Sequence, residues 1–427
     1  SATGAAGGMI APEKKSARRR SMKRAFWICA ALGFALLLHP QELRHVTGVT
    51  NVEVPVRVFD GDRFVDNLTI DDFEVFEDGV PQKIAGVYLI KKTAVLRREA
   101  TESLTPNTHR TFYLFFELYD YIPRIQEALT LFVRDVLRPD DDLAVVTPMR
   151  TYKLRGERLA RLSVGQVADQ LNGLVRQDIM AGNMEYRHAL DDLKSTARLI
   201  TGALGTGGPG GGMARLDSID FGAMGELDEL LEQYRAYLAR IEDMRRVDES
   251  KIIGLAKLLK AVEGQKYVFL FYQREFIPLL DKKQFALVFD MLEWHTQLTM
   301  NDLFNYRLRK VTINTDLIKK TYSDSSIAVH FLFLTPRPES LPGVTYEEHS
   351  EDIFAPFLEI AKATGGLAES SANPVFAMEK AGEASENYYL LYYVPANYTA
   401  DGRFKKIKVT VKGQSYRVAN RSGYFAN

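Results

Sequence analysis

The spacing of apolar residues changes character twice along this chain. NVEVPVRVF (51–59) alternates apolar and polar positions, as a half-buried strand does. Pro55 inside it points to an edge position or a bulge. DGD (60–62) is a turn signal, FEVF (73–76) alternates again, EDG (77–79) turns, and 82–90 predicts a further strand. Residues 91–109, charged and polar with Pro106, are expected to form a linker. From about 110 the pattern becomes one of strands alternating with helices, which predicts a parallel sheet with crossovers. TFYLFF (111–116) is a continuous apolar run of the kind a strand buried on both faces shows. Pro123 suits a helix start, Ile125, Leu129, Phe132 and Val136 share one helical face, and LAVV (143–146) is the next buried strand.

Later strands are predicted at KYVFLFY (266–272) and IAVHFLFL (327–334). Helices are predicted at 252–262, 285–298 and 352–363, the last ending at Gly365 and Gly366 as a C-cap. Residues 176–247 are too long for a simple crossover. Tyr186, Leu190, Leu193, Ala197 and Ile200 share one helical side, and so do Leu227, Leu231, Tyr234, Leu238, Ile241 and Met244. A helical-hairpin insertion joined by the glycine-rich run at 205–212 is expected. The chain then returns to strands at YYLLYYV (388–394), 406–411 and 416–419. Neither terminal β segment can close a core alone. The expectation is one small β-sandwich made by 46–95 and 373–427, with the α/β unit, 108–372, inserted between them.

Composition narrows the function classes. The 427 residues are 46% hydrophobic and 26% charged, an ordinary globular balance, and 55 Lys+Arg match 55 Asp+Glu. A neutral chain offers no broad electrostatic case for nucleic acid, which is set aside as a partner. Cys29 is the single cysteine, so neither a disulfide scaffold nor a cysteine zinc site can form. Met22, Lys23 and Arg24 precede an uncharged apolar run, 25–38. Residues 22–40 are therefore expected to be a signal peptide or an uncleaved membrane anchor, placing the protein in the periplasm, outside the cell or on its membrane. Residues 1–21 are treated as a leader and left out of the fold.

The runs VEVPV (52–56) and LTIDDFEVFEDGVPQKI (68–84) resemble the N-terminal region of acidobacterial-type proteins related to the von Willebrand factor A domain. ATGGL (363–367), YYLLYY (388–393), GRFKKI (402–407) and RSGYF (421–425) resemble that family's tail. The resemblance implies a doubly wound, mostly parallel α/β sheet of the A-domain kind, and an exported protein. It also implies a place to look for chemistry. Many A domains hold a divalent cation at the strand ends with Asp-x-Ser-x-Ser, a later Thr and a further Asp, oxygen ligands suited to a hard cation. In this chain Glu117 stands at the first Asp position, Tyr119 and Tyr121 at the two Ser positions, Asn183 in the Thr loop and Gln273 near the last Asp. With the ligands changed together, the metal site is expected to be degenerate, with no metal and no cofactor.

Other motifs carry less. The glycine run lacks the Gly-Lys-Ser/Thr ending of a phosphate loop. The histidines have no metal-ligand spacing, and His330 fits a core position. Asp140, Asp141 and Asp142 fit a polar turn, and the paired tyrosines of 388–393 fit core packing on one face with an exposed aromatic strip on the other. No nucleophile elbow and no supported acid/base pair is present. The expectation is an exported, non-catalytic protein–protein interaction module with a protein partner in the cell envelope, touching the membrane only through the N-terminal anchor. Glu117, Asp120, Tyr186 and Tyr234 are the candidate partner-binding residues. The alternatives are a metal-dependent adhesion domain with a cation site rebuilt from Glu117, Asp120 and Glu185, and an enzyme of unspecified class.

Overall fold

The computed structural model describes residues 51–100, 105–154, 161–205, 226–244, 249–306, 308–337 and 339–427. The expected signal or anchor segment lies outside the described residues. Among these residues no helix is long and apolar enough to cross a membrane.

The two ends of the chain build the β unit. Its N-terminal strands are β1 (Val52–Asp60), β2 (Arg63–Phe64), β3 (Phe73–Glu77), β4 (Val80–Gln82), β5 (Ile84–Lys91) and β6 (Ala94–Ala100). Later come β7 (Arg110–Glu117), β8 (Asp142–Val146), β9 (Thr151–Leu154), β10 (Gln265–Gln273), β11 (Phe276–Leu280), β12 (Ile327–Leu334), β13 (Val344–Glu348) and β14 (Ala368–Ser371). The C-terminal strands are β15 (Asn387–Tyr393), β16 (Phe404–Val411), β17 (Arg417–Asn420) and β18 (Gly423–Phe425). One six-stranded sheet runs β17-β1-β15-β5-β6 with β2 on β1, and a four-stranded sheet runs β18-β16-β3-β4. Together they curl into an antiparallel half-barrel around Val54, Val56, Val75, Leu89, Tyr389 and Val409. β1 lies between β15 and β17, so the N-terminal strand cannot find its place until the C-terminal strands exist.

The middle of the chain supplies a second six-stranded sheet, β14-β12-β10-β7-β8-β9, parallel except for β9. Its helices are α1 (Ile125–Leu131), α2 (Val164–Gly182), α3 (Met184–Ala203), α4 (Leu227–Met244), α5 (Glu249–Lys260), α6 (Lys282–Phe289), α7 (Trp294–Phe304), α8 (Thr315–Asp324), α9 (Glu351–Ala363) and α10 (Pro374–Glu386). One sheet face packs on α1, α2 and α10 through Phe112, Leu114, Phe116 and Phe269. The other packs on α5, α8 and α9 through Val268, Val329, Phe331 and Phe333. A third core joins α3, α4, α6 and α7 to the β11–β13 ribbon. Within the span 176–247, α2 therefore belongs to the sheet, while α3 and α4 belong to this separate helical layer.

The expected doubly wound, mostly parallel sheet with a small sandwich is corrected. Parallel pairing is confined to 4 strand pairs, against 10 antiparallel pairs among the described residues. The molecule is a mixed α/β fold with several antiparallel sheets. The physical reason is that burial on both faces gives an unbroken apolar run whichever way the neighbours point. β15 is such a strand: it is antiparallel to β1 and β5, yet Tyr388, Tyr389, Tyr392 and Tyr393 are all buried. The expected exposed tyrosine strip is therefore corrected as well. So is the linker at 91–109, because Ala94–Ala100 forms an edge strand whose open side tolerates Arg97, Arg98 and Glu99. The single helix expected over 285–298 is two, α6 and α7.

At the amino end of β7, Arg110 and Asp141 form an ion pair 0% and 1% exposed. Arg110 Nη2 and Nε donate to the two Asp141 oxygens at 2.6 and 3.0 Å, and Nη2 also donates to the Val136 carbonyl. Asp141 is thus an anchor for the β8 start and not only a turn residue. Replacing one partner strands a charge in a dry site. Asp141→Asn is expected to destabilise the fold by about 3–5 kcal/mol, read as a lowered urea midpoint with an unchanged denaturant slope.

Candidate functional site at the carboxyl ends of the parallel strands

β7 ends on Glu117, which lies in parallel register with Tyr272 of β10. Three residues beyond Tyr272 the chain reaches Glu275, held by its amide to Ser350 Oγ at 3.1 Å. Both Glu275 carboxylate oxygens accept phenol hydrogens, Oε1 from Tyr272 at 2.9 Å and Oε2 from Tyr186 of α3 at 3.2 Å. Tyr119 tilts against Tyr186 with ring centroids 5.5 Å apart. Both rings join the helical-layer core, so α3 covers this end of the sheet. Burial, and then the Glu275 charge, push the Glu117 carboxyl up to about 7. Burial first and Glu275 second also hold the Tyr119 and Tyr186 phenols far above their ordinary range, which keeps Tyr186 a donor to Glu275.

The remaining strand-end residues close the loop on itself. Gln273, 3% exposed, accepts the Asp120 amide on Oε1 at 3.1 Å. Asn183 Nδ2 donates to the carbonyls of Leu118 at 2.7 Å and Ile179 at 3.1 Å. Tyr121 donates to Asn172 Oδ1 at 2.5 Å, with the Arg176 guanidinium over its ring. Asp120 takes the Tyr121 amide and faces Arg187 at 3.8 Å. Glu185 pairs with Arg240 at 3.2 Å.

The residues singled out in the sequence are therefore only partly brought together. Glu117, Tyr119, Tyr186 and Gln273 share the strand end, whereas Asp120 and Glu185 turn to different arginines. Glu117 and Glu275 are the acids that meet. Glu275 escaped sequence reasoning because only the β7–β10 register sets it beside Glu117, and no local pattern carries that register. Tyr234, a candidate partner-binding residue in the sequence, is 1% exposed and donates to the Pro278 carbonyl, fastening α4 to β11. Tyr186 is likewise turned inward to Glu275. His330 is 0% exposed and meets Phe269 edge-on, while burial and the Arg57 charge keep its pKa well below the usual value, so the ring stays neutral. Among the described residues, no group of three or more His, Cys, Asp or Glu side chains is placed to hold a metal ion.

The helical layer that covers the strand ends exposes an apolar face on and beside α7. Met291, Trp294 and Leu298 are 52%, 73% and 54% exposed, with Trp294 and Leu298 one turn apart on α7. His295 sits between them, bridging Asp228 at 2.5 Å and Glu293 at 3.4 Å.

No family model matches the chain, and no curated protein does. Among solved structures, the crystal structure of the human COPII-coat protein Sec24c is similar at a TM-score of 0.31 and 9% identity. The match takes in 76% of this chain and 45% of that one, so the chain spans less than half of Sec24c. A likeness this weak carries no functional argument.

The Glu117 carboxyl has a direct consequence for stability. Its folded pKa is raised, so the stability it lends is complete below about pH 4.5 and is lost as pH rises through about 7. Glu117→Gln is expected to remove that slope, making the variant more stable than wild type by about 1–3 kcal/mol at pH 8 and near parity at pH 4.5. Urea midpoints across this range measure it, and parallel curves for the two proteins would refute it.

Proposed function

We propose that this chain is an exported, non-catalytic protein–protein interaction module, related to the von Willebrand factor A-type proteins its terminal motifs resemble, in which the strand-end cation site has degenerated. Two facts support the reading. Glu275 is engaged by Tyr186 and Tyr272, and Gln273 and Asn183 by backbone groups, under a helical layer. The surface of that layer then carries what an interface needs, and the Met291–Trp294–Leu298 face is the observation that carries the proposal. An exposed tryptophan flanked by two further apolar side chains, on a helix whose other side is fully packed, is the usual make-up of an interface hot spot. The rim of Asp290, Glu293 and Asp302, all exposed, suits a partner with basic residues around an apolar anchor.

The expected outcome is specific. A photo-crosslinking residue at Leu298, in the full chain expressed in its native envelope, captures a protein partner. Trp294→Ser lowers that capture at least about tenfold while leaving the melting temperature unchanged, because the indole is largely outside the core. Capture that is absent, or indifferent to Trp294→Ser, contradicts the proposal.

A further inference from the structure

Where the β unit meets the parallel sheet, three cationic side chains are buried together. Arg57 of β1, Lys266 of β10 and Arg421, just past β17, are 5%, 5% and 8% exposed. All three line one cavity of about 20 Å³, along with Ser326 and Gly365. That is room for one water or one monatomic ion. The walls are rigid. Gly365 takes φ +70°, Thr364 bridges Arg421, and a Cβ on Gly366 would fall 1.8 Å from the Val329 carbonyl oxygen.

The hydrogen bonds of the cluster are incomplete. Arg57 Nη1 donates to the Gly365 carbonyl. Arg421 donates to Ser326 Oγ at 2.8 Å, to the Ser323 carbonyl at 3.3 Å and to the Glu53 carbonyl at 2.7 Å. Lys266 Nζ donates to the Val262 carbonyl at 2.8 Å. Arg57 Nε and Arg421 Nε, both shut off from solvent, have no partner among the described residues. Nor is the charge closed off. Burial works against the charged forms of Arg421 and Lys266, and Glu53 offsets it only in part. That one carboxylate is set against three cations and also accepts from Gln265 at 2.9 Å and Tyr392 at 2.7 Å. Asp324, also near Arg421, pairs with Lys260 at 2.6 Å. Three buried cations sharing one carboxylate keep an excess of positive charge, which is costly, and so is a buried N–H without an acceptor. One anion answers both needs. A water molecule would accept the two N–H groups and leave the positive charge unmatched.

We propose that this cavity is a binding site for one small monovalent anion, of chloride size, held by Arg57, Arg421 and Lys266 and joining the β unit to the parallel sheet. The site lies where the ATGGL and RSGYF segments, distant in sequence, meet through the Thr364–Arg421 bridge. The glycines let the α9 end approach β12, and Arg421 closes the cage.

The test uses the full chain. Crystals grown in bromide are expected to show an anomalous peak within contact of Arg57 Nε and Arg421 Nε. In solution, about 0.1 M chloride or bromide should raise the melting temperature by roughly 1–3 °C over gluconate at equal ionic strength, and the rise should saturate. Lys266→Met should abolish that halide response. If the variant fails to fold, the wild-type map and melts decide alone. A cavity holding water only, or a peak with no response in solution (binding at crystal concentration only), overturns the proposal.

Discussion

A carboxylate withdrawn from water needs a counter-charge, a hydrogen-bond donor or a proton. At the carboxyl ends of β7 and β10 two of them are half-buried together. Glu275 takes donors, the phenols of Tyr272 and Tyr186. The shift of Glu117 comes from burial and from Glu275, with no cation in opposition, so it leans toward the proton. A phenol must stay protonated to serve as a donor, and burial, then Glu275, hold the Tyr186 phenol well above its ordinary range. Tyr186 belongs to α3, and its ring packs with Tyr119 into the helical layer. The same contact that satisfies Glu275 therefore also seats the layer on the sheet.

The junction on the far side follows the opposite logic. There the excess charge is positive, and Arg57, Arg421 and Lys266 are gathered where the N-terminal strand, the C-terminal strand and the parallel sheet converge. Long-range pairing of β1 with β15 and β17 brings the cations in, and close backbone packing at Gly365 and Gly366 forms one wall around them. Each end of the parallel sheet thus has its own electrostatic problem. The carboxyl end resolves its problem with protons and phenols, whereas the β-unit side presents orphaned N–H donors.

Much of this could be seen in the sequence wherever one segment settled the matter alone. The apolar run ending at Phe116, the helical face of Ile125, Leu129 and Phe132, and the stripes of α3 and α4 all correspond to buried surfaces. Pairing direction could not be seen. Tyr388 to Tyr393 look the same in a parallel or an antiparallel neighbourhood, and the edge strand at Ala94–Ala100 carries enough charge to pass for a linker. Register was equally hidden. Nothing near Gln273 announces that Glu275 will stand beside Glu117, and nothing near Arg421 announces Arg57. Such encounters are properties of the assembled sheets. The candidate site was found from Glu117, while the acid that defines its chemistry came only from the structure.

The central proposal is that the strand end, where Glu275 and Gln273 are held by phenols and a backbone amide, does not coordinate ions. Calorimetric titration of the full chain with manganese, at about pH 8 where Glu117 is mostly ionised, tests it most directly. No saturable binding tighter than about millimolar is predicted. One-to-one binding tighter than that, lost in Glu117→Ala, would contradict it.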